Sequence, residues 1–161
     1  MIFLFLAILL LNCSPNHEKK ILDEILSLEK RIIKTSDIND QKFLINEISK
    51  NYSFFLDNYE NSDFHPDILF KYAELLNSTN KIDKAVFYYK KIYNLYPDSK
   101  FAPISIISQA SCYDKIGKTN FSIELYNLFL SKYPNHPYVV DIKKLIKITG
   151  KYNTEIIKNL K

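Results

Sequence analysis

Along most of this chain the apolar positions recur with the period of an α-helix. Ile21, Ile25, Leu28 and Ile32 are spaced by 4, 3 and 4 residues, one stripe on a helix spanning 18–34. Ser36 or Asp37 can cap a second helix that runs roughly to Asp57. The same reasoning predicts helices near 66–79, 82–95, 103–116, 119–132 and 137–149, and a short last one around Thr154 to Leu160. Gly117 and Gly150 are read as helix ends, where the backbone needs a positive φ. With only two glycines, the chain lacks the tight turns that a strand-rich sandwich requires. The predicted fold class is therefore all-α.

The helical segments repeat. Tyr59, Tyr96 and Tyr133 lie 37 residues apart, and the same shift carries Phe64 to Phe101, Pro66 to Pro103, Ala73 to Ala110, Tyr89 to Tyr126 and Pro97 to Pro134. Self-similarity at a fixed period of this size signals a stack of helical units, each too small to bury its apolar face alone. Within a unit, Ala73, Leu76, Ala85, Tyr89 and Pro97 form one set, and Ala110, Tyr113, Ser122, Tyr126 and Pro134 the next. The small residues allow two helices to cross closely, the aromatic fills the space beside them, and proline ends the second helix.

This pattern resembles the tetratricopeptide repeat, with Leu69 and Ile106 where the family commonly has Trp. The resemblance implies a tetratricopeptide-like α-solenoid of about three helix hairpins plus a C-terminal capping helix. The family period is shorter by three residues, which fall here in the linker Tyr96 to Pro103. A Tyr-Pro-x-Ser linker before such a helix is similar to one branch of the superfamily, which contains the BamD-type lipoproteins of outer-membrane β-barrel assembly and the Tol-associated periplasmic coordinator. The likeness covers about residues 44 to 140. It implies a concave groove lined by the first helix of each repeat, at Asp67, Phe70, Glu74 and Asn77, then Ile104, Ile107, Ser111 and Asp114. For Phe70 and Ile107 two readings stand: facing a partner in the groove, or packing on the neighbouring helix.

The N-terminus departs from the helical period. Met1 to Leu11 is an uncharged apolar run, too short to span a bilayer but suited to the core of a signal peptide. It ends in Leu10-Leu11-Asn12-Cys13, which resembles a bacterial lipobox, although Asn12 and the absence of basic residues before the run depart from that pattern. The implied organisation is a signal peptide over 1–12, a lipidated Cys13 with a short polar tether over 13–17, and a repeat domain over 18–161. The alternative is a buried helix or a secretory signal with a chance cysteine.

Charge and chemistry narrow the function. The net charge is +4 and no run of basic residues exceeds two, so nucleic acid is not an expected partner. Cys112 is left alone in an apolar stretch and is expected to be a small buried hydrophobe. His17 falls in the polar tether, and His65 and His136 fall in linkers, where a solvated role is expected. No glycine-rich phosphate loop or nucleophile–base pair is recognisable, so no enzyme, metal or cofactor is expected.

The resemblance instead implies a scaffold that is anchored by palmitate-type lipid to the outer membrane, on its periplasmic face. Its expected partners are a barrel-assembly subunit and segments of unfolded outer-membrane proteins. The competing expectations are a Tol-associated coordinator of envelope constriction and peptidoglycan synthesis, and an orphan surface lipoprotein.

Overall fold

A computed structural model describes residues 15–159, and the apolar run and Cys13 lie outside them. The described residues form helices α1 (Pro15–Lys34), α2 (Ile38–Asn58), α3 (His65–Ser78), α4 (Ile82–Leu95), α5 (Phe101–Lys115), α6 (Thr119–Lys132) and α7 (Val139–Asn159), with no strand among them. The fold is an all-α, tetratricopeptide-like helical repeat. It divides into two compact units, one ending at Leu75 and the other opening at Leu76, within α3.

The 37-residue period is written into the backbone. Tyr59, Tyr96 and Tyr133 each close a helix in the same conformation, with φ of −128°, −130° and −129°. Each donates its N–H to the carbonyl four residues back, on Phe55, Ile92 and Phe129. Three residues later Ser62, Ser99 and His136 donate to those tyrosine carbonyls. Their side chains then accept from the N–H two residues on, at Phe64 (3.0 Å), Phe101 (3.2 Å) and Tyr138 (3.2 Å). A serine hydroxyl and an imidazole nitrogen thus do one job, giving an acceptor to a helix start whose amides have no helical partner. Pro66 and Pro103 sit in the first turns of α3 and α5, where a missing N–H costs nothing.

The other turn of the repeat is equally regular. Lys81 donates to Leu76 O (2.8 Å) and Lys118 to Tyr113 O (2.9 Å), across a residue in the left-handed region, Asn80 at φ 61° or Gly117 at φ 73°. An L side chain there costs about 1–2 kcal/mol, least for asparagine. Gly117→Ala is therefore expected to lower stability by about 1 kcal/mol, and Asn80→Gly to raise it by a few tenths, in urea unfolding.

Packing obeys the small-residue pattern. Ala73, Ala85, Tyr89, Ala102, Ile106 and Ala110 are fully buried. In the second unit α5 lies between α4 and α6, and α6 also packs on α7. The core there joins Tyr93, Ala102, Ile106, Ala110, Tyr126, Phe129 and Ile142. The Tyr93 hydroxyl reaches Gln109 Oε1 at 2.8 Å, so the buried amide and phenol satisfy each other. Helix α7 corresponds to α5 one period later, but the places of Ile106 and Ala110 are taken by Lys143 and Lys147, both exposed. Those two positions of α7 are polar and exposed, although Val140, Leu145 and Ile148 of the same helix are exposed as well.

Several expectations are corrected. The first helix starts at Pro15, so residues 15–17 are its first turn and not a tether. His17 packs edge-on to Phe54 and is hydrogen-bonded through Nδ1 to the Tyr59 hydroxyl. His65 is buried at the start of α3, and His136 is half-buried against Phe129, so neither linker histidine is solvated. Gly150 does not end a helix: α7 continues through it to Asn159, replacing the two predicted pieces. Its φ is not positive, no proline interrupts the ladder there, and one interior glycine costs only about 1 kcal/mol.

Candidate functional site

The first unit holds an apolar groove of about 550 Å³ between α1 and the start of α3. Its lining includes Leu22, Leu26, Phe64 and Ile68, flanked by Asp67 and Lys71. The local sequence explains the placement. Ile21 and Ile25 are the buried stripe of α1, so Leu22 and Leu26, one residue further round, emerge at its edge. Leu26 is 46% and Phe64 52% exposed, leaving two large apolar groups in contact with water. Large apolar side chains grouped in a concavity are the kind of surface that partners cover.

Polar contacts hold the groove's walls. At one end the Ser62 hydroxyl donates to Glu18 Oε1 at 2.5 Å, tying α1 to the linker before α3. Further along, the Tyr52 hydroxyl donates to Glu29 Oε1 at 2.8 Å, and Lys71 lies 3.0 Å from the same carboxylate and 3.4 Å from Asp67. Burial, and then the bonded Glu29, hold the Tyr52 phenol far above its usual pKa. Burial by itself would lower the Lys71 pKa, but the Glu29 hydrogen bond and the Asp67 and Glu29 charges outweigh it and raise it. Lys71 thus stays a cation, pinned between two carboxylates from α1 and α3. The network joins α1, α2 and α3 and fixes the wall on which Ile68 and Asp67 stand.

The sequence-predicted groove residues fall in several places. Asp67 lines this groove, half-buried on the first turn of α3. Phe70 is half-buried and Glu74 exposed on the same helix, outside the lining. Ile104 is half-buried and Ser111 exposed on α5, in the second unit. Ile107 is half-buried and packs against the second unit's core, as its neighbouring-helix reading expects. Asn77 is half-buried with its Oδ1 unbonded, and Asp114 accepts from the Tyr126 hydroxyl at 3.1 Å. Sequence reasoning did not single out Leu22, Leu26, Phe64 and Lys71. A signal was present for the first two, an i, i+4 leucine pair beside the main apolar stripe.

The Tyr126 contact has a measurable consequence. Burial, and then the Asp114 charge, push its phenol up to about 12 from an ordinary value of 10. A group with a raised folded pKa stabilises fully below its unfolded value, and that contribution is lost as pH rises through the folded one. Between pH 10 and 12 stability should therefore fall, followed by circular dichroism, and Tyr126→Phe should make the fall shallower.

Among the described residues no helix is long and apolar enough to cross a membrane, and no group of three or more His, Cys, Asp or Glu is placed to hold a metal ion. Helical repeats joined by two alternating turns, with an apolar groove beside the first helix of a repeat, define a scaffold of the protein-binding kind. Residues 67–99 match the tetratricopeptide repeat family, a stretch that covers most of α3, all of α4 and the start of the linker after it. No curated protein matches the chain.

Proposed function

We propose that this chain is a lipid-anchored, non-enzymatic scaffold of the outer-membrane β-barrel assembly machinery, held through Cys13 at the periplasmic face of that membrane. The observation that carries the reading is the groove between α1 and α3, whose exposed Leu26 and Phe64 await an apolar ligand. Strands of outer-membrane barrels alternate apolar and polar residues and carry aromatic girdles. A short unfolded segment of such a protein therefore offers side chains of the right character to a groove of about 550 Å³. The Tyr-Pro-x-Ser linker at 96–99 and the 37-residue period support the branch. The apolar run ending at Cys13 supports the anchor.

The mechanism is capture. Apolar side chains enter between Leu22, Leu26 and Phe64, and the Lys71 network keeps the wall from collapsing when the groove is empty. Leu26→Asp combined with Phe64→Asp should leave the fold intact, since both side chains are about half exposed. The pair should weaken partner recovery at least tenfold in purification from solubilised membranes, a loss of about 1.4 kcal/mol. Equal recovery of the same barrel-assembly partners by the doubly substituted chain would sink the assignment of the groove.

A further inference from the structure

We infer that the tip of the α1–α2 hairpin is a docking surface for an anionic lipid bilayer, separate from the groove and independent of any lipid on Cys13. The first hairpin has the longest pair of helices: α1 and α2 have 20 and 21 residues, against 14 in each of α3, α4 and α6. Shifted back by one period, the start of α4 at Ile82 falls on Ile45, yet α2 begins at Ile38. The hairpin is thus extended by seven residues, about two helical turns or roughly 10 Å.

Only the last residue of the extension, Leu44, enters the core. Nothing from Ile38 to Phe43 is buried, and the first buried residue of α2 is Leu44. It carries instead some of the most exposed large apolar side chains of the protein, Ile33 at 84%, Ile38 at 67% and Phe43 at 58%. Scattered apolar residues on a surface are ordinary, but three on one turn and its two flanking helix ends are not.

Charge selects the occupant. Lys30, Arg31, Lys34 and Lys42 lie exposed in the same stretch of chain, against Asp37 and Asp40. The Asp37 carboxylate is engaged in capping α2, accepting from the N–H groups of Asn39 (2.8 Å) and Asp40 (2.9 Å). Arg31 and Lys34, with Asp40 as the one carboxylate, line a shallow hollow of about 280 Å³ beside Phe43. A second copy of the same tip would set cation against cation. A protein partner would need a cavity shaped to a protruding turn. A fluid bilayer needs none: it accepts apolar side chains at the acyl boundary and binds lysine and arginine through anionic headgroups.

The chain has no tryptophan, so Phe43→Trp in the full-length protein supplies a single reporter. It is mixed with vesicles of phosphatidylglycerol and phosphatidylcholine, or of phosphatidylcholine alone, with brominated acyl chains as quencher. The expected result is a blue shift and roughly twofold quenching in the anionic vesicles, reduced by high salt and by Arg31→Gln with Lys34→Gln. A Phe87→Trp reporter, at a site 57% exposed on α4, should stay unquenched in the same vesicles. Helix content by circular dichroism confirms that each variant is folded. Flotation separately reads whether the N-terminus alone tethers the chain, so failure of the anchor and failure of the tip are distinguishable. Quenching at position 43 no greater than at position 87, or equal with and without anionic lipid, overturns the proposal. A shift that needs an added acidic protein in place of lipid overturns it in favour of a protein contact.

Discussion

Phe129→Ala is expected to destabilise the protein by about 3–5 kcal/mol, among the largest effects of a single truncation in the second unit. The ring is fully buried on α6 and belongs to one cluster with Ile106 and Ala110 of α5 and Ile142 of α7. It also meets the linker between α6 and α7, with ring centroids 5.9 Å from Tyr133 and 5.3 Å from His136. Removing it opens a cavity touched by three helices and loosens the turn that starts α7. In a repeat array, stability is the sum of units and their neighbour interfaces, so the damage should spread to α7 before α4. Urea unfolding should show a lower midpoint with little change in slope, and hydrogen exchange should rise first in α7. A loss below about 1 kcal/mol would mean that Phe129 does not carry this interface.

Ala110→Leu should cost about 1–3 kcal/mol by overpacking, and the repeat supplies an internal control. Ala110 is fully buried where α5 packs on α6, so added methylenes must push the two helices apart. One period later the same position is Lys147 on α7, which is exposed. Lys147→Leu should therefore change stability by less than about 0.5 kcal/mol, as surface substitutions usually do. Thermal unfolding of the two variants side by side tests the close packing at Ala110 and the solvent exposure of position 147 together. Equal losses would contradict both.

The contrast between these positions also shows what the sequence carries. The 37-residue step was legible because its markers, Tyr59, Tyr96 and Tyr133 with Pro97 and Pro134, are rigid or bulky residues at positions with a fixed local job. The structure converts the tyrosines into identical helix ends. Asn80 escaped notice as the partner of Gly117, because asparagine enters the left-handed region without announcing it. The histidines were misplaced for a different reason. Linker position suggests solvent, yet His17 and His136 find aromatic neighbours elsewhere in the chain, and His65 is closed over at a helix start. Such contacts are tertiary and leave no periodic trace.

The candidate site was legible only in part, for a related cause. The family pattern points to the first helix of a repeat, and one residue it names there, Asp67, lines the groove. It could not reveal that the groove's other wall is α1, because which residues of two helices face each other depends on their crossing. The leucine pair Leu22 and Leu26 becomes informative only once Ile68 and Phe64 are seen opposite. Ile107 shows why position alone is not enough: at a groove position of the pattern, it is half-buried and packs on the second unit's core.

The central claim, that the α1–α3 groove binds a protein segment at the outer membrane, is tested most directly by photo-crosslinking in growing cells. A photoreactive amino acid is placed at Leu26, and a control at Phe87, exposed on α4. Adducts from the Leu26 position, identified by mass spectrometry, should contain a barrel-assembly subunit or unfolded outer-membrane protein and be absent from the Phe87 control. Adducts that are the same from both positions, or that contain neither class of protein, would contradict it.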